Sequence, residues 1–393
     1  GTVSDLAFSL SYSLTADRGP AGVNNSTATI YSTNPWRGTT DIMEPGLSIS
    51  APENSELTYE KKHEFNFGFD LGLFDNRIIL SLDAYKRNNF DLIGNVITSG
   101  LGGFVNKMGN VAEMESSGVE ISLATKNIAT KNFTWTTNFI FAHMDNKVTK
   151  LNTTLRTIDY LTGAGYSMEG YPRGSIFSLK FQGLTDMGIP TFLNTKGEVT
   201  STDIQFQETR NFSNLKYEGP ADPTITGSFG NIFKWKNLTL NVFMTYSFGN
   251  VVRLDPIFSN AYSDLTAMPK EFRNRFVNPG DELRTNVPAI ASTRQNQDIH
   301  NLYVAYSAYN YSDVRIAKGD FIRMKEISLS YEFPKPIVSK LRMGGLSLKV
   351  QATNPFLIYS DKKLHGQDPE FFNTGGVAVP MPKQFTLTCR ITF

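Results

Sequence analysis

The chain has 393 residues, enough for one large domain or two ordinary ones. Its 38 Lys and Arg residues balance 37 Asp and Glu residues, and the net charge of +1 excludes binding to nucleic acid through bulk charge. Charged residues make up only 19% and aromatic residues 12%, and no apolar run is long enough for a membrane-spanning helix. This composition indicates strands with one apolar face.

Ten segments alternate apolar and polar residues with a period of two, the pattern of a β-strand with one apolar face. In the first segment Leu6 and Phe8 point to one face and Ser9 points to the other. Most segments approach the roughly 9–11 residues that a tilted strand needs to cross a bilayer. In chain order they lie in residues 5–14, 63–74, 78–85, 118–126, 133–141, 224–235, 238–248, 325–333, 346–352 and 385–393.

The connections between these segments alternate in length. Short links lie around Asp75 and in residues 127–131 and 234–237. Outer-membrane barrels have such short turns on the periplasmic side and long loops on the extracellular side. The long polar stretches that we predict to be extracellular loops are 15–56, 90–115, 145–224, 249–320 and 354–383.

This alternation predicts an all-β fold, an antiparallel transmembrane β-barrel in the outer membrane, with about ten strands in this chain. Ten strands alternate in direction without contradiction if the C-terminus is periplasmic. A further candidate strand in residues 174–183 breaks this order, unless it gains a partner or lies within the loop 145–224. A soluble sandwich is the alternative, but no strand is apolar on both faces as the centre of such a fold often is.

The polar residues of the strands are predicted to face the lumen and a plug. Arg323 and Lys325 share their parity with Ile327, so they are expected on the lipid side at the extracellular end, where a charge costs little. The predicted lumen-facing residues are Asn66, Asp70, Asp83, Glu120 and Asn138.

The last strand reads FTLTCRITF and ends the chain on an aromatic ring. Its apolar residues alternate with Thr and Arg, which is similar to the C-terminal signature that the assembly machinery of outer-membrane barrels reads. The residues predicted to form this assembly signal are Phe385, Leu387, Ile391 and Phe393. The single cysteine, Cys389, excludes an intrachain disulfide.

Six longer stretches, spread along the chain, carry a resemblance that covers essentially its whole length: FDLGLFDNRIILSLDAYKRNNFDLI (69–93), GNVAEMESSGVEISLATKN (109–127), EGYPRGSIFSLKFQGL (169–184), DPTITGSFGNIFKWKNLTLNVFMTYSFGN (222–250), GDFIRMKEISLSYEFP (319–334) and TNPFLIYSDKKLHGQDPEF (353–371). In this order they resemble the SusC/RagA-type TonB-dependent outer-membrane transporters of Bacteroidetes. Each stretch alone is a loose match, whereas six in the family's order are specific.

The resemblance implies a barrel of roughly 22 strands with a plugged lumen, of which this chain supplies the C-terminal part. The plug, an N-terminal extension and the TonB box are then absent from the chain. The resemblance also implies the partners: a SusD-like surface lipoprotein as a lid, the TonB complex, the remaining barrel segment of the same transporter, an oligosaccharide or oligopeptide substrate, and membrane lipids with lipopolysaccharide. No cofactor is expected.

Candidate chemistry in the sequence is sparse. The four histidines His63, His143, His300 and His365 show no paired metal-ligand spacing. Two acids in HGQDPEF, Asp368 and Glu370, offer carboxylates to a cation or take part in a turn around Pro369. The loop run NLYVAYSAYNYSD offers rings that contact a substrate or lid, or pack the loop against itself. These rings are Tyr303, Tyr306, Tyr309 and Tyr311.

The function predicted from these features is active import of nutrient oligomers, glycan or peptide, without covalent chemistry. One alternative is an outer-membrane barrel enzyme, a protease or lipase, and another is a passive porin. Hydrolysis by the purified chain favours the enzyme, and uptake without a proton gradient favours the porin.

Overall fold

The computed structural model describes residues 2–19, 28–34, 36–37, 42–43, 45–51, 53–98, 100, 106–153, 155–163, 165–258, 268–340, 342–371 and 381–393. Within them, ten long antiparallel strands form one sheet whose spatial order follows the chain. They are β1 (Val3–Asp17), β2 (Glu60–Leu73), β3 (Ile78–Ile97), β4 (Asn106–Ala129), β5 (Phe133–Leu151), β6 (Ile225–Trp235), β7 (Leu238–Phe248), β8 (Phe321–Glu332), β9 (Gly345–Ser360) and β10 (Gln384–Thr392). All ten predicted segments fall within these strands, to within one residue at either end, which confirms the all-β antiparallel fold.

Tight turns join β2 to β3, β4 to β5 and β6 to β7 at one end of the sheet, the short-turn end, and β8 joins β9 at the same end by a longer connection. Between β2 and β3, Phe74, Asp75 and Asn76 have φ values of 54°, 55° and 57°. Lys236, between β6 and β7, has φ of 49°. Such left-handed residues let a tight hairpin follow the twist of its strands. The long connections lie at the opposite end, the long-loop end.

Strands β3 and β4 continue further toward the long-loop end than their alternation predicts. β3 runs to Ile97 and β4 begins at Asn106, so much of the predicted loop 90–115 is paired strand. From the pair Lys86 and Ser117 onward, the positions that continue the lipid-facing side of these strands are no longer regularly occupied by apolar residues. The alternation therefore ends there, whereas the backbone pairing continues, and β5 and β9 also extend into their predicted loops.

The described residues of 152–224 and 249–320 pack together, and we call them the loop assembly. Backbone bonds join the two segments: the Leu179 N–H donates to the Tyr311 carbonyl at 3.0 Å, and the Ala289 N–H to the Gly188 carbonyl at 3.0 Å. Their shared hydrophobic core comprises Leu161, Leu179, Phe192, Ile204, Ile257, Val287, Val304, Ala308 and Tyr309. The loop assembly is thus a packed unit with its own core.

The candidate strand within 174–183 belongs to this loop assembly. Ser175–Leu179 pairs with Leu215–Pro220 in a separate two-stranded sheet. It therefore adds no strand to the large sheet, and the alternating order of the ten strands is preserved.

The remaining elements are short. The other strands are Thr29–Thr33, Trp36–Arg37, Ile42–Met43, Gly46–Ala51, Phe181–Leu184, Pro190–Leu193, Val199–Thr200, Val251–Arg253 and Ile316–Lys318. The α-helices are α1 (Thr157–Leu161), α2 (Thr293–Asp298), α3 (Leu302–Asn310) and α4 (Lys335–Lys340). The 3-10 turns are Lys270–Asn274, Asp281–Leu283, Asp313–Arg315, Lys362–Leu364 and Pro369–Phe371. No helix in the described part of the chain has the length and apolar character to span a membrane.

Candidate functional site

The five residues predicted to face the lumen share one side of the sheet, the polar face. Asp83 and Glu120 lie directly opposite each other on β3 and β4, and Asn66 and Asp70 lie on the same side of β2. Asn138 shares this side on β5. The structure brings these residues onto one surface, and their contact with a plug or substrate stays a prediction.

Charges of both signs are distributed along the polar face. Asp83 and Glu120 are like charges in directly opposed positions, an arrangement that weakens strand pairing. Toward the long-loop end, Arg87 Nε lies 3.2 Å from Glu64 Oε2, and the Arg87 guanidinium lies 4.0 Å from the Tyr85 ring centroid. This face can therefore hydrate a lumen and offer hydrogen-bonding groups to a polar oligomer.

The opposite side of the sheet, the apolar face, is exposed. Leu10 is 68% exposed, Phe65 48% and Leu329 45%, on strands from both halves of the sheet. Aromatic rings pair across strands on this face, for example Trp135 and Phe233 with centroids 5.7 Å apart. A soluble sandwich would bury these side chains against a second sheet. An exposed apolar surface of this extent instead fits contact with lipid.

The tyrosine run predicted as a loop forms α3 and the residues after it. Tyr306 and Tyr309 are each 2% exposed, inside the loop assembly. For these two rings the packing alternative holds, because their burial keeps them from the surface. Tyr311 is half-buried, its centroid 6.3 Å from Phe206, and Tyr303 is 62% exposed. Direct contact with a substrate or lid stays a prediction for Tyr303 and Tyr311.

A buried ion pair that the sequence did not indicate lies beside α3. The Arg315 side chain is 2% exposed, and its guanidinium pairs with the Glu271 carboxylate and donates to the Asp255 carbonyl at 2.6 Å. His365 Nε2 lies 2.8 Å from the other Glu271 oxygen. These contacts join the second segment of the loop assembly, 249–320, to the connection after β9. Burial raises the pKa of the neighbouring Tyr309 to about 12.

A second buried cation, Arg253, lies within the loop assembly. Its guanidinium lies 5.6 Å from the ring centroid of Tyr311, and it donates to the Phe177 carbonyl. Burial lowers the pKa of Arg253 to about 10, because taking a cation out of water disfavours the charged form. No sequence pattern marks Arg253 or Arg315, since their partners are more than 40 residues away.

The structure corrects the predicted orientation of Arg323. A β-bulge at Lys325 on β8 shifts the pairing with both neighbouring strands. The extra residue reverses the alternation, so Arg323 and Ile327 face opposite sides of the sheet. Arg323 is 3% exposed and pairs with the buried carboxylate of Asp368, and its Nε lies 3.0 Å from Glu370 Oε2. Lys325 also reaches Glu370, at 3.3 Å. These two acids bind side-chain cations in this structure.

The histidines do not converge. His63 Nδ1 lies 2.6 Å from the Tyr12 hydroxyl, and His143 Nε2 lies 3.0 Å from Asp145 Oδ2. His300 is exposed in the loop assembly. The described residues contain no group of three or more His, Cys, Asp or Glu side chains placed to hold a metal ion.

The terminal strand β10 pairs with β9 along its whole length, and its other edge has no partner strand among the described residues. Its predicted assembly residues are all exposed, and Phe393 is 93% exposed. Recognition by an assembly machinery stays a prediction for Phe385, Leu387, Ile391 and Phe393.

The chain is similar in sequence to TonB-dependent receptors along most of its length. TonB-dependent receptor P39 of Formosa agariphila is 28% identical over 371 residues, which cover 83% of this chain and 34% of the relative. TonB-dependent receptor SusC of Bacteroides thetaiotaomicron is 26% identical in an alignment of 406 positions that covers 98% of this chain and 37% of the relative. The chain thus spans about a third of the length of these relatives. No family model matches it.

Solved structures share the fold. The RagAB peptide transporter superposes with a TM-score of 0.78 at 24% identity, over 100% of this chain and 41% of the solved chain. The RagAB peptide importer in its "open-open" state superposes with a TM-score of 0.73 at 23% identity, over 100% of this chain and 40% of the solved chain. These likenesses support the fold. The sequence relatives above confirm the resemblance to SusC/RagA-type TonB-dependent transporters and the location in the outer membrane.

Proposed function

We propose that this chain forms part of an active importer of nutrient oligomers across the outer membrane. The observation that carries the proposal is a ten-stranded sheet with one exposed apolar face and one polar face. The similarity to TonB-dependent receptors over most of the chain supports energy coupling through TonB. The polar face lines the passage, and the apolar face contacts lipid.

We propose that other segments of the same transporter complete the barrel and supply its plug. Among the described residues, β1 and β10 each have one neighbour in the sheet. The chain also matches only about a third of each relative, which leaves room for these parts. TonB, driven by the proton gradient, then displaces the plug, and the work is conformational gating.

The proposed lid is a SusD-like surface lipoprotein that closes over the loop assembly. This proposal is supported by the packed core of the loop assembly, which presents a fixed surface rather than separate loops. The RagAB peptide importer has been solved in a "closed-closed" and an "open-open" state. A lid that opens and closes needs two such states. The proposed cargo is an oligopeptide or oligosaccharide, bound without covalent chemistry.

Uptake by cells tests the proposal. Cells carrying the full-length transporter are given labelled oligopeptides and oligosaccharides, with and without a proton uncoupler. We expect uptake of one class, lost both on deletion of the transporter gene and on addition of the uncoupler. Uptake that persists with the uncoupler identifies a porin, and hydrolysis of the cargo by the purified transporter identifies an enzyme.

A further inference from the structure

A cavity of about 470 Å³ lies at the long-loop end of β3, β4 and β5. Ser116 on β4 pairs with Arg87 of the polar face. Met114, which lines the cavity, lies two residues before Ser116, and no bulge separates the two, so their side chains point to the same face. Met114 and its partner Val148 therefore lie on the side that we propose lines the passage. The cavity thus borders the proposed substrate route.

Eight of the fifteen residues that line this cavity are apolar. Val148 is 4% exposed and Val111 8%, so these two are the buried side chains of the lining. Tyr166, 42% exposed, is the aromatic ring among the described lining residues. The aliphatic and thioether side chains of the lining are Leu92, Ile93, Val111, Ala112, Met114, Val148 and Leu151.

The buried apolar part of this lining, around Val111 and Val148, favours an apolar group over a sugar. A buried sugar ring must find partners for its hydroxyl groups, and each unpaired hydroxyl costs free energy. An aliphatic or aromatic side chain needs no such partner and gains from leaving water. The cavity volume also lies within the usual range for ligand pockets, roughly 300–1,000 Å³.

Charged groups in the same lining suit a peptide backbone. Glu60 Oε1 accepts the Ile93 N–H at 2.8 Å, and Glu113 Oε1 lies 3.1 Å from Lys150 Nζ. Arg173 is exposed, and its backbone N–H donates to a side chain of β5. Carboxylates accept from backbone N–H groups, and a guanidinium donates to carbonyl or carboxylate oxygens.

We propose that this cavity binds an apolar side chain of an oligopeptide cargo, with Met114 and Val148 against that side chain. This inference rests on the proposed import function and selects peptide over glycan as its substrate class. The charged groups of the lining hold the adjoining peptide backbone.

The test uses the purified full-length transporter with its co-purifying partners. The probe is a library of synthetic heptapeptides randomised at every position, and bound peptides are identified by mass spectrometry. We expect bound peptides to be enriched in Leu, Ile, Val, Met and Phe over the library. Met114→Asp should lower affinity for the enriched peptides by about 10- to 100-fold, the value of one buried apolar side chain. Maltoheptaose is the glycan comparison.

The matched control is Met144→Asp, the same substitution on β5 outside the lining. It should leave peptide affinity within about twofold of the wild-type value. Ala112→Leu, which fills the cavity without adding a charge, should weaken peptide binding as Met114→Asp does. Absence of apolar enrichment, tighter binding of maltoheptaose, or equal losses in Met114→Asp and Met144→Asp overturns the inference. Energised uptake by wild-type cells, measured separately, still supports import in that case, whereas its absence refutes the proposed function.

Discussion

The buried pair between Arg323 and Asp368 should hold the connection after β9 against the sheet. Arg323 is 3% exposed and Asp368 2% exposed, so water cannot solvate either charge when its partner is removed. The Asp368 carboxylate also accepts the Glu370 backbone N–H at 3.1 Å. Asp368→Asn removes the negative charge and retains the size of the side chain.

The expected loss follows from these contacts. Removing one partner of a buried pair costs about 3–5 kcal/mol. Arg323 retains Glu370, whose Oε2 lies 3.0 Å from its Nε, so we expect a smaller loss of about 2–3 kcal/mol. This corresponds to a roughly 30- to 150-fold more favourable local opening of residues 361–371. Lys325→Met, which removes a partly exposed contact with Glu370, should cost less than about 1 kcal/mol.

Hydrogen exchange measured by mass spectrometry on the detergent-solubilised transporter reports this opening. Amides of residues 361–371 should exchange roughly 30- to 150-fold faster in Asp368→Asn and nearly as in wild type in Lys325→Met. The double variant Arg323→Met with Asp368→Leu should exchange more slowly than the sum of its single losses predicts, because it leaves no unpaired charge. Unchanged exchange in Asp368→Asn, or strict additivity in the double variant, refutes the reasoning.

Gly227→Ala places a Cβ in collision with the Ile140 carbonyl oxygen, so it should destabilise the sheet by about 1–3 kcal/mol, seen as a lower unfolding temperature by heat-dependent gel migration. Gly230→Ala, 3.2 Å from its nearest neighbour atom, is the control, and equal shifts contradict the argument. Burial raises the pKa of Tyr309 from 10.0 to about 12, so the unfolded state ionises first. The loop assembly should lose up to about 3 kcal/mol of stability as pH rises from 10 to 12, and a constant near-ultraviolet circular dichroism over that interval contradicts this. Deleting Phe393 should lower the amount of folded protein in isolated outer membranes, and an unchanged amount excludes its role in assembly.

Much of the sheet was predictable from local pattern. Every strand that faces lipid must alternate, because its two sides meet different surroundings. This requirement marked all ten strands and placed residues such as Asp83 and Glu120 on one side before any coordinates were considered. It also placed the short turns, for example at Asp75, where the chain reverses between two alternating segments.

The same pattern failed where its physical cause was absent. Strands β3 and β4 continue past the apolar belt, and their pairing there no longer depends on alternation. The bulge at Lys325 inverted the parity of Arg323, and a bulge leaves no compositional signal in this strand. The tyrosines of α3 were visible, but only packing shows that Tyr306 and Tyr309 are interior.

The sequence by itself determined the strands, their order and their two faces, since these depend on each residue's own side chain and its immediate neighbours. Only the tertiary structure decided the core of the loop assembly, the ion pairs of Arg315 and Arg323, and the cavity beside Met114. These features join residues far apart in the chain, so their free energy depends on which distant side chains the fold brings together. A repeating local pattern does not indicate which distant residues will be in contact.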